Sequence, residues 1–233
     1  MDTHVTLWSE SAAFPLLTTL TIIPFAAMAA ILCSRSSAIA LRFGFAGTLL
    51  TVLLSFYLLV IFDSSDPSIH LVEQVHFGWF SYSVGVDGAN ILFIPLTAVL
   101  TLLALVYTLI TRHVTDRLFI ACLLGYEGIL IGAFAALNVL QFWLWSVLEL
   151  IPVVLLTTHA GTGHNRRWVI ALFLQYWGSG LLMTLAGFMF LAFGLIDSEH
   201  ALTFDWLTLK QNNAYLHDEV LIFILLFFGF AIR

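Results

Sequence analysis

Residues 117–160 read RLFIACLLGYEGILIGAFAALNVLQFWLWSVLELIPVVLLTTHA. Two apolar runs, about 118–139 and 141–158, flank a very short turn near Asn138 to Gln141. Each run has the length of a transmembrane helix, roughly 17–25 residues. A connection this short makes the two helices antiparallel neighbours. Glu127 and Glu149 are the acids interior to these runs, and no other long apolar stretch of the chain encloses one. A charge at bilayer depth costs roughly 2.5–3.5 kcal/mol by insertion scales. Acids in such places face a water-filled cavity, a proton path or a hydrogen-bonding neighbour helix.

The rest of the chain agrees with a membrane setting. Of 233 residues, 61% are hydrophobic and 9% charged, and the mean hydropathy is +1.02. The runs are too long and too uniformly apolar for barrel strands, which alternate over about ten residues. The fold class expected is all-α, a polytopic transmembrane helical bundle, because a helix satisfies its own backbone in lipid. The net charge of −6 and the absence of a basic patch point away from nucleic acid. Cys33 and Cys122 stand singly in apolar runs and read as small core residues. The N-terminus carries Asp2 and Glu10 and no basic residue before the first run, so that run reads as a retained helix rather than a cleaved signal.

Apolar segments fall at about 12–33, 43–62, 89–111, 118–139, 141–158, 168–195 and 219–233. The last stops at Arg233 after about fifteen residues, where a span needs about 20, so a longer protein is expected. Arg35, Arg42, Arg112, Arg117, Arg166 and Arg167 lie in connections on one side, and Lys210 alone on the other. By the positive-inside rule the N-terminus faces away from the cytoplasm. Two non-cytoplasmic loops result, residues 63–88 and 196–217. The alternation in HLVEQVHFGWFSYSVGVDG (residues 70–88) predicts a short β-hairpin in the first. The second is polar, without structure or partly surface-helical. Asp87 is a structural residue here, the predicted N-cap of the third segment.

Glu149 is the sharper candidate for chemistry. Pro152 removes the hydrogen bond to the Leu148 carbonyl, and a broken helix at membrane depth persists where protein or water satisfies it. Glu127 lies about twelve residues before the turn and Glu149 about nine after it, so at 1.5 Å per residue their depths differ by about 4–5 Å. Either acid reads as a proton carrier or as an acid that hydrogen-bonds a neighbouring helix. Arg233 ends the FFGFAIR run; inside the membrane it needs a partner. A guanidinium biases a nearby acid but does not hand on a proton. The eight histidines all fall in loops or at segment edges, which argues against a bis-histidine haem protein. HAGTGHNRR, residues 159–167, lacks the P-loop spacing and reads as a basic turn. Phe142, Trp143 and Trp145 read as an interfacial belt, and Gly178, Gly180 and Gly187 as positions of close helix packing.

Several short motifs carry a family resemblance over Phe77 to Arg233. They are Gly85-Val86-Asp87-Gly88, the stretch Ile131-Gly132-Ala133-Phe134 to Phe142, Glu149-Leu150-Ile151-Pro152 and Phe228-Gly229-Phe230-Ala231-Ile232. Together they resemble the M-type, antiporter-like membrane subunits of complex I-type oxidoreductases, called NdhD in photosynthetic NDH-1 complexes. The resemblance implies about fourteen helices in inverted repeats, each with a broken helix, of which about seven are seen here. It departs from the family pattern in four places. The family's helix-five glutamate, five positions before the proline, is matched by Val147, and Glu149 matches a second acid found in some members. Its lysine at the end of helix seven is matched by Arg233, and its aspartate before helix five by Asn138. Glu127 has no standard counterpart.

These departures resemble the NdhD variants of CO2-uptake complexes. The resemblance then implies a proton-translocating subunit of a plastoquinone oxidoreductase in the thylakoid membrane, with a lumenal N-terminus. It implies an enzyme as a complex, fed by ferredoxin or NAD(P)H. This chain would carry no redox centre and no cofactor; quinone and iron-sulfur clusters belong to other subunits. Partners would be other NDH-1 membrane subunits, the lipid bilayer and a CO2-hydrating subunit. The implied site is Glu149, Glu127 and Arg233, as a proton path or its electrostatic control. Two alternatives remain open: an Mrp-type cation/proton antiporter or membrane hydrogenase subunit, and a structural subunit whose proton path has decayed.

Overall fold

The computed structural model describes residues 5–7, 12–65, 68–77, 80–111, 116–160, 165–194, 203–211 and 219–233. In chain order the elements are β1 (Val5–Leu7), α1 (Leu16–Cys33), α2 (Ser37–Ile61), β2 (Ile69–Phe77), β3 (Phe80–Val86) and a 3-10 turn (Asn90–Leu92) leading into α3 (Phe93–Thr111). There follow α4 (Arg117–Ala135), α5 (Val139–Leu148), α6 (Leu150–Ala160), α7 (Arg166–Gly194), α8 (Trp206–Gln211) and α9 (Glu219–Ile232). Among the described residues, six stretches are long and apolar enough to cross a membrane, with α5 and α6 together forming one of them, and α9 is a shorter apolar helix. The expected all-α membrane bundle is what the chain forms. Large apolar side chains such as Leu53, Val60, Ile110, Leu182 and Phe223 are exposed on its helices, a surface suited to lipid rather than water.

The chain divides into two compact units. Unit 1 comprises Met1–Glu73 and Val84–Ala135. Its core joins Ile31, Ala40, Leu105, Ile120, Ala121 and Leu124, one or more from each of α1 to α4. Arg117 at the start of α4 donates to the Ser34 carbonyl at the end of α1, supplying one of the acceptors' missing partners at a helix C-terminus. Unit 2 comprises Gln74–Ser83 and Ala136–Arg233. Its core is Val139, Phe188, Ala192, Phe204 and Leu209. Arg112 and most of the 196–217 loop lie outside the described residues, as do His4, His113, His164, His200, His217 and positions 161–164 of the basic turn.

The hairpin predicted in the first loop is present as β2 and β3, with β1 added to form a sheet of order β1-β2-β3. β1 runs parallel to β2, pairing Val5 with Ile69 and Leu7 with Val72. The two-residue step on β1 meets a three-residue step on β2, so β2 bulges. Leu71 lies within the bulge at φ +57°, a left-handed conformation that costs a residue with a Cβ about 1–2 kcal/mol. Just past it, Glu73 caps α1. Its Oε1 accepts from the Leu17 N–H at 2.8 Å and its Oε2 from the Thr18 N–H at 3.0 Å, with the Thr18 hydroxyl donating as well. The residue preceding α1 is Pro15, which makes no side-chain cap of its own. A carboxylate from the hairpin therefore does the work of a local N-cap.

Burial pushes the Glu73 carboxyl above its ordinary value and the hydrogen bonds from Thr18 and Leu17 pull it down, with burial the larger effect. A raised carboxyl binds its proton more tightly folded than unfolded. Its contribution to stability is full below the ordinary carboxylate range and is lost as pH rises through the folded value. Protection of the Leu17 and Thr18 amides, taken relative to their intrinsic base-catalysed exchange rates, should therefore fall as pH rises through that window. Glu73→Gln should remove this extra pH dependence; its persistence in the variant would remove Glu73 as its source.

Candidate functional site

In unit 2 the fifth apolar segment is two helices. Asn138 starts α5: its Oδ1 accepts from the N–H groups of Leu140 and Gln141 at 2.9 and 3.2 Å, and its Nδ2 donates to the Ser81 carbonyl and hydroxyl. An asparagine caps a helix as well as the family's aspartate does. Gln141 Oε1 accepts from the Ser83 N–H at 3.0 Å, so the start of α5 is fixed to β3. The helix ends at Leu148, and Glu149 stands at the junction with α6, its own N–H reaching back to the Trp145 carbonyl at 3.0 Å. Pro152, the third residue of α6, cannot donate to the Leu148 carbonyl. The hydrogen bond that the proline removes is thus lost next to the acid, while the backbone at Glu149 stays helical (φ −57°, ψ −29°) within one apolar stretch from Val139 to His159.

Arg233 closes the site. Its Nη2 lies 2.6 Å from Glu149 Oε2, and its Nη1 donates to Ser146 Oγ at 2.5 Å. The guanidinium sits over the Trp177 ring at 5.3 Å and the Phe142 ring at 5.9 Å from the centroids. The Glu149 and Arg233 side chains are 10% and 17% exposed, so this is a largely desolvated pair held by charge-assisted hydrogen bonds. Ser146 lies three residues before Glu149, on the same face of α5. Its hydroxyl donates to the Phe142 carbonyl at 3.0 Å, leaving lone pairs for Arg233. A planar fork with two acceptors and two aromatic faces is an arrangement that fits guanidinium better than ammonium.

Helix packing makes the approach possible. A Cβ on Gly180 would lie 2.8 Å from the Gly229 carbonyl oxygen and 3.5 Å from Arg233 Cβ, and a Cβ on Gly229 would lie 2.8 Å from the Thr184 nitrogen. The backbones of α7 and α9 touch at these glycines, as small residues allow in membranes. Of the three glycines expected to pack closely, Gly180 and Gly187 do, whereas Gly178 faces open space. The belt reading of the aromatics is corrected in part. Phe142 covers Arg233, and Trp143 Nε1 donates to the Leu181 carbonyl at 2.8 Å.

The structure therefore brings Glu149 and Arg233 into one site, with Pro152 three residues beyond the acid. Asp87 and Glu127 belong to unit 1. Asp87 is the expected cap: its Oδ1 accepts from the Ala89 and Asn90 N–H groups at 3.0 and 2.7 Å. Glu127, on α4, is fully buried, and neither carboxyl oxygen has a hydrogen-bond partner among the described residues. Ser146, Trp177 and Gly180 as supports of Arg233 were not foreseen. A serine one turn before the acid was the available signal; Trp177 was hidden because its distance in sequence from Arg233 carries no periodicity.

No protein-family model matches the chain. It is homologous to M-type membrane subunits of complex I-type quinone oxidoreductases. In particular, it is 29% identical over 191 residues to NADH-quinone oxidoreductase subunit M of Rickettsia bellii, a match covering 80% of this chain and 37% of that protein. It is 33% identical over 228 residues to the chloroplastic NAD(P)H-quinone oxidoreductase chain 4 of Daucus carota, covering 94% of this chain and 44% of that one. A chain of respiratory complex I from Thermus thermophilus, solved with bound NADH, superposes with a TM-score of 0.73 at 26% identity, over 93% of this chain and 42% of its own. The chain thus spans less than half the length of these relatives.

Proposed function

We propose that this chain is part of a proton-translocating, antiporter-like membrane subunit of an NDH-1 plastoquinone oxidoreductase of the CO2-uptake form, residing in the thylakoid membrane with its N-terminus in the lumen. Quinone reduction and the iron-sulfur clusters belong to other subunits, and this chain contributes membrane-embedded charge. The observation that carries the reading is the Glu149–Arg233 pair beside the hydrogen bond that Pro152 removes, on a chain homologous to complex I membrane subunits. A largely desolvated carboxylate can take up a proton when its counter-charge withdraws. Arg233 governs that step electrostatically and does not relay the proton, because a guanidinium keeps its own. The pair is therefore a control element for proton entry at Glu149.

Glu149→Gln in the assembled complex tests this. The expected result is a severalfold fall in proton translocation per quinone reduced, and in CO2 uptake, with assembly retained. Unchanged translocation would remove Glu149 from the mechanism. Transport that depends on sodium and proceeds without quinone would replace the reading with an Mrp-type antiporter.

A further inference from the structure

Unit 1 holds a second acid that the Glu149–Arg233 pair does not explain. Glu127 is fully buried on α4, and both its oxygens lack a partner among the described residues. On α2, the Thr48 hydroxyl is likewise fully buried and without a partner.

Packing contacts put Thr48 and Glu127 at neighbouring levels of adjacent helices. A Cβ on Gly44 would lie 2.9 Å from Ile120 Cγ2, and one on Gly47 would lie 3.4 Å from Leu124 Cδ2. The helices α2 and α4 therefore run side by side and in step. One turn beyond Gly47 and Leu124 come Thr51 and Glu127, with Thr48 within that turn of α2. Thr51 is fully buried too, and its hydroxyl donates to the Gly47 carbonyl at 3.0 Å, which leaves its lone pairs available as acceptors. At the next residue of α4, a Cβ on Gly128 would lie 2.9 Å from the Phe25 ring, so α1 packs apolar surface beside Glu127.

Leaving these three buried polar atoms unsatisfied would be costly, because each gives up its water without a replacement partner. An acid that carries a proton supplies the missing donor. With one water between them, a Glu127 hydroxyl can donate toward a threonine oxygen and the Thr48 hydroxyl toward the remaining carboxyl oxygen. We infer that Glu127 is a second proton-binding site, inside unit 1, with Thr48 and Thr51 of α2 as its hydrogen-bonding wall. The ligand is a proton carried on the carboxyl oxygen and exchanged through hydroxyl or water neighbours. No charge partner is required, in contrast to Glu149. The inference rests on the proton-translocation reading above.

Two measurements on the assembled complex in its native membrane decide it. Dicyclohexylcarbodiimide modifies carboxyls that carry a proton in apolar surroundings: the acid proton moves to a carbodiimide nitrogen while the carboxyl oxygen bonds to the central carbon. Peptide mass spectrometry should find the adduct at Glu127, and Thr48→Val should change its rate of formation severalfold. Proton translocation should fall severalfold in Glu127→Gln, which keeps the shape and hydrogen bonding of the neutral acid and cannot exchange a proton. An unlabelled Glu127 overturns the site. Labelling combined with full translocation in Glu127→Gln also overturns it, leaving a structural neutral acid. If Glu149→Gln lowers translocation and Glu127→Gln does not, only this inference fails; if neither variant changes a complex that pumps, the functional reading fails with it.

Discussion

Arg233→Ala should be among the most damaging single substitutions in this chain. It leaves Glu149 with 10% of its side chain exposed and without the guanidinium 2.6 Å away. Removing one partner of a buried pair costs about 3–5 kcal/mol, because an uncompensated charge stays behind. The partial exposure of both groups places the expected loss near about 3 kcal/mol, at the low end of that range. The variant should lose thermal stability in detergent and proton translocation together. Arg233→Lys should fall between it and the parent. An ammonium can still meet Glu149 but gives up the fork to Ser146 and the stacking on Trp177 and Phe142, worth about 0.5–1 kcal/mol for the aromatic part. The decisive comparison is a double-mutant cycle. Glu149→Ala with Arg233→Ala should be less unstable than the sum of the single losses, while translocation stays low. Additive losses would mean that the two residues act separately and that the ion pair is incidental.

Much of this architecture was legible because membrane helices announce themselves. The runs read from hydropathy, such as 118–139 and 168–195, correspond to α4 and α7 within a few residues. Asp87 and Asn138 were readable because a capping side chain acts on the next two or three residues, so its chemistry is local. The hairpin followed from alternation, and the hydrogen bond missing beside Glu149 from Pro152. What escaped was non-local. Glu73 stands in for the cap that Pro15 does not provide, across more than fifty residues of chain, and no pattern in α1 announces it. β1 has three residues, too few to show a period. The ion pair was anticipated only as a need of Arg233. That Glu149 met it, with Ser146 as second acceptor, depended on how α7 and α9 cross, which hydropathy does not encode. The acid position that the family resemblance implies is occupied here by Val147. Two residues along, Glu149 supplies the carboxylate.

The crossing of α7 and α9 carries the second large effect. Gly229→Val would put a branched side chain where a Cβ alone lies 2.6 Å from Thr184 Cγ2 and 2.8 Å from the Thr184 nitrogen. Thr184 could rotate its methyl away, but its backbone cannot yield within a helix. The Gly180 carbonyl oxygen, 3.1 Å from the same point, is fixed in the same way. The two helices must therefore separate, and overpacking of this kind costs about 1–3 kcal/mol. Because Arg233 follows Gly229 by one helical turn, separation also draws the guanidinium from Ser146 and Glu149. Gly229→Val should consequently lower both stability and translocation, and a helper substitution that shrinks Thr184 should not restore either, since backbone is the obstacle. Gly178→Ala supplies the control. It lies two residues before Gly180 on α7 with no atom within 4 Å of its added Cβ, so the alanine should be neutral or stabilise the helix by about 0.5–1 kcal/mol. Equal damage from Gly178→Ala and Gly229→Val would show that α7 tolerates no change anywhere, and the backbone contact would lose its place as the cause.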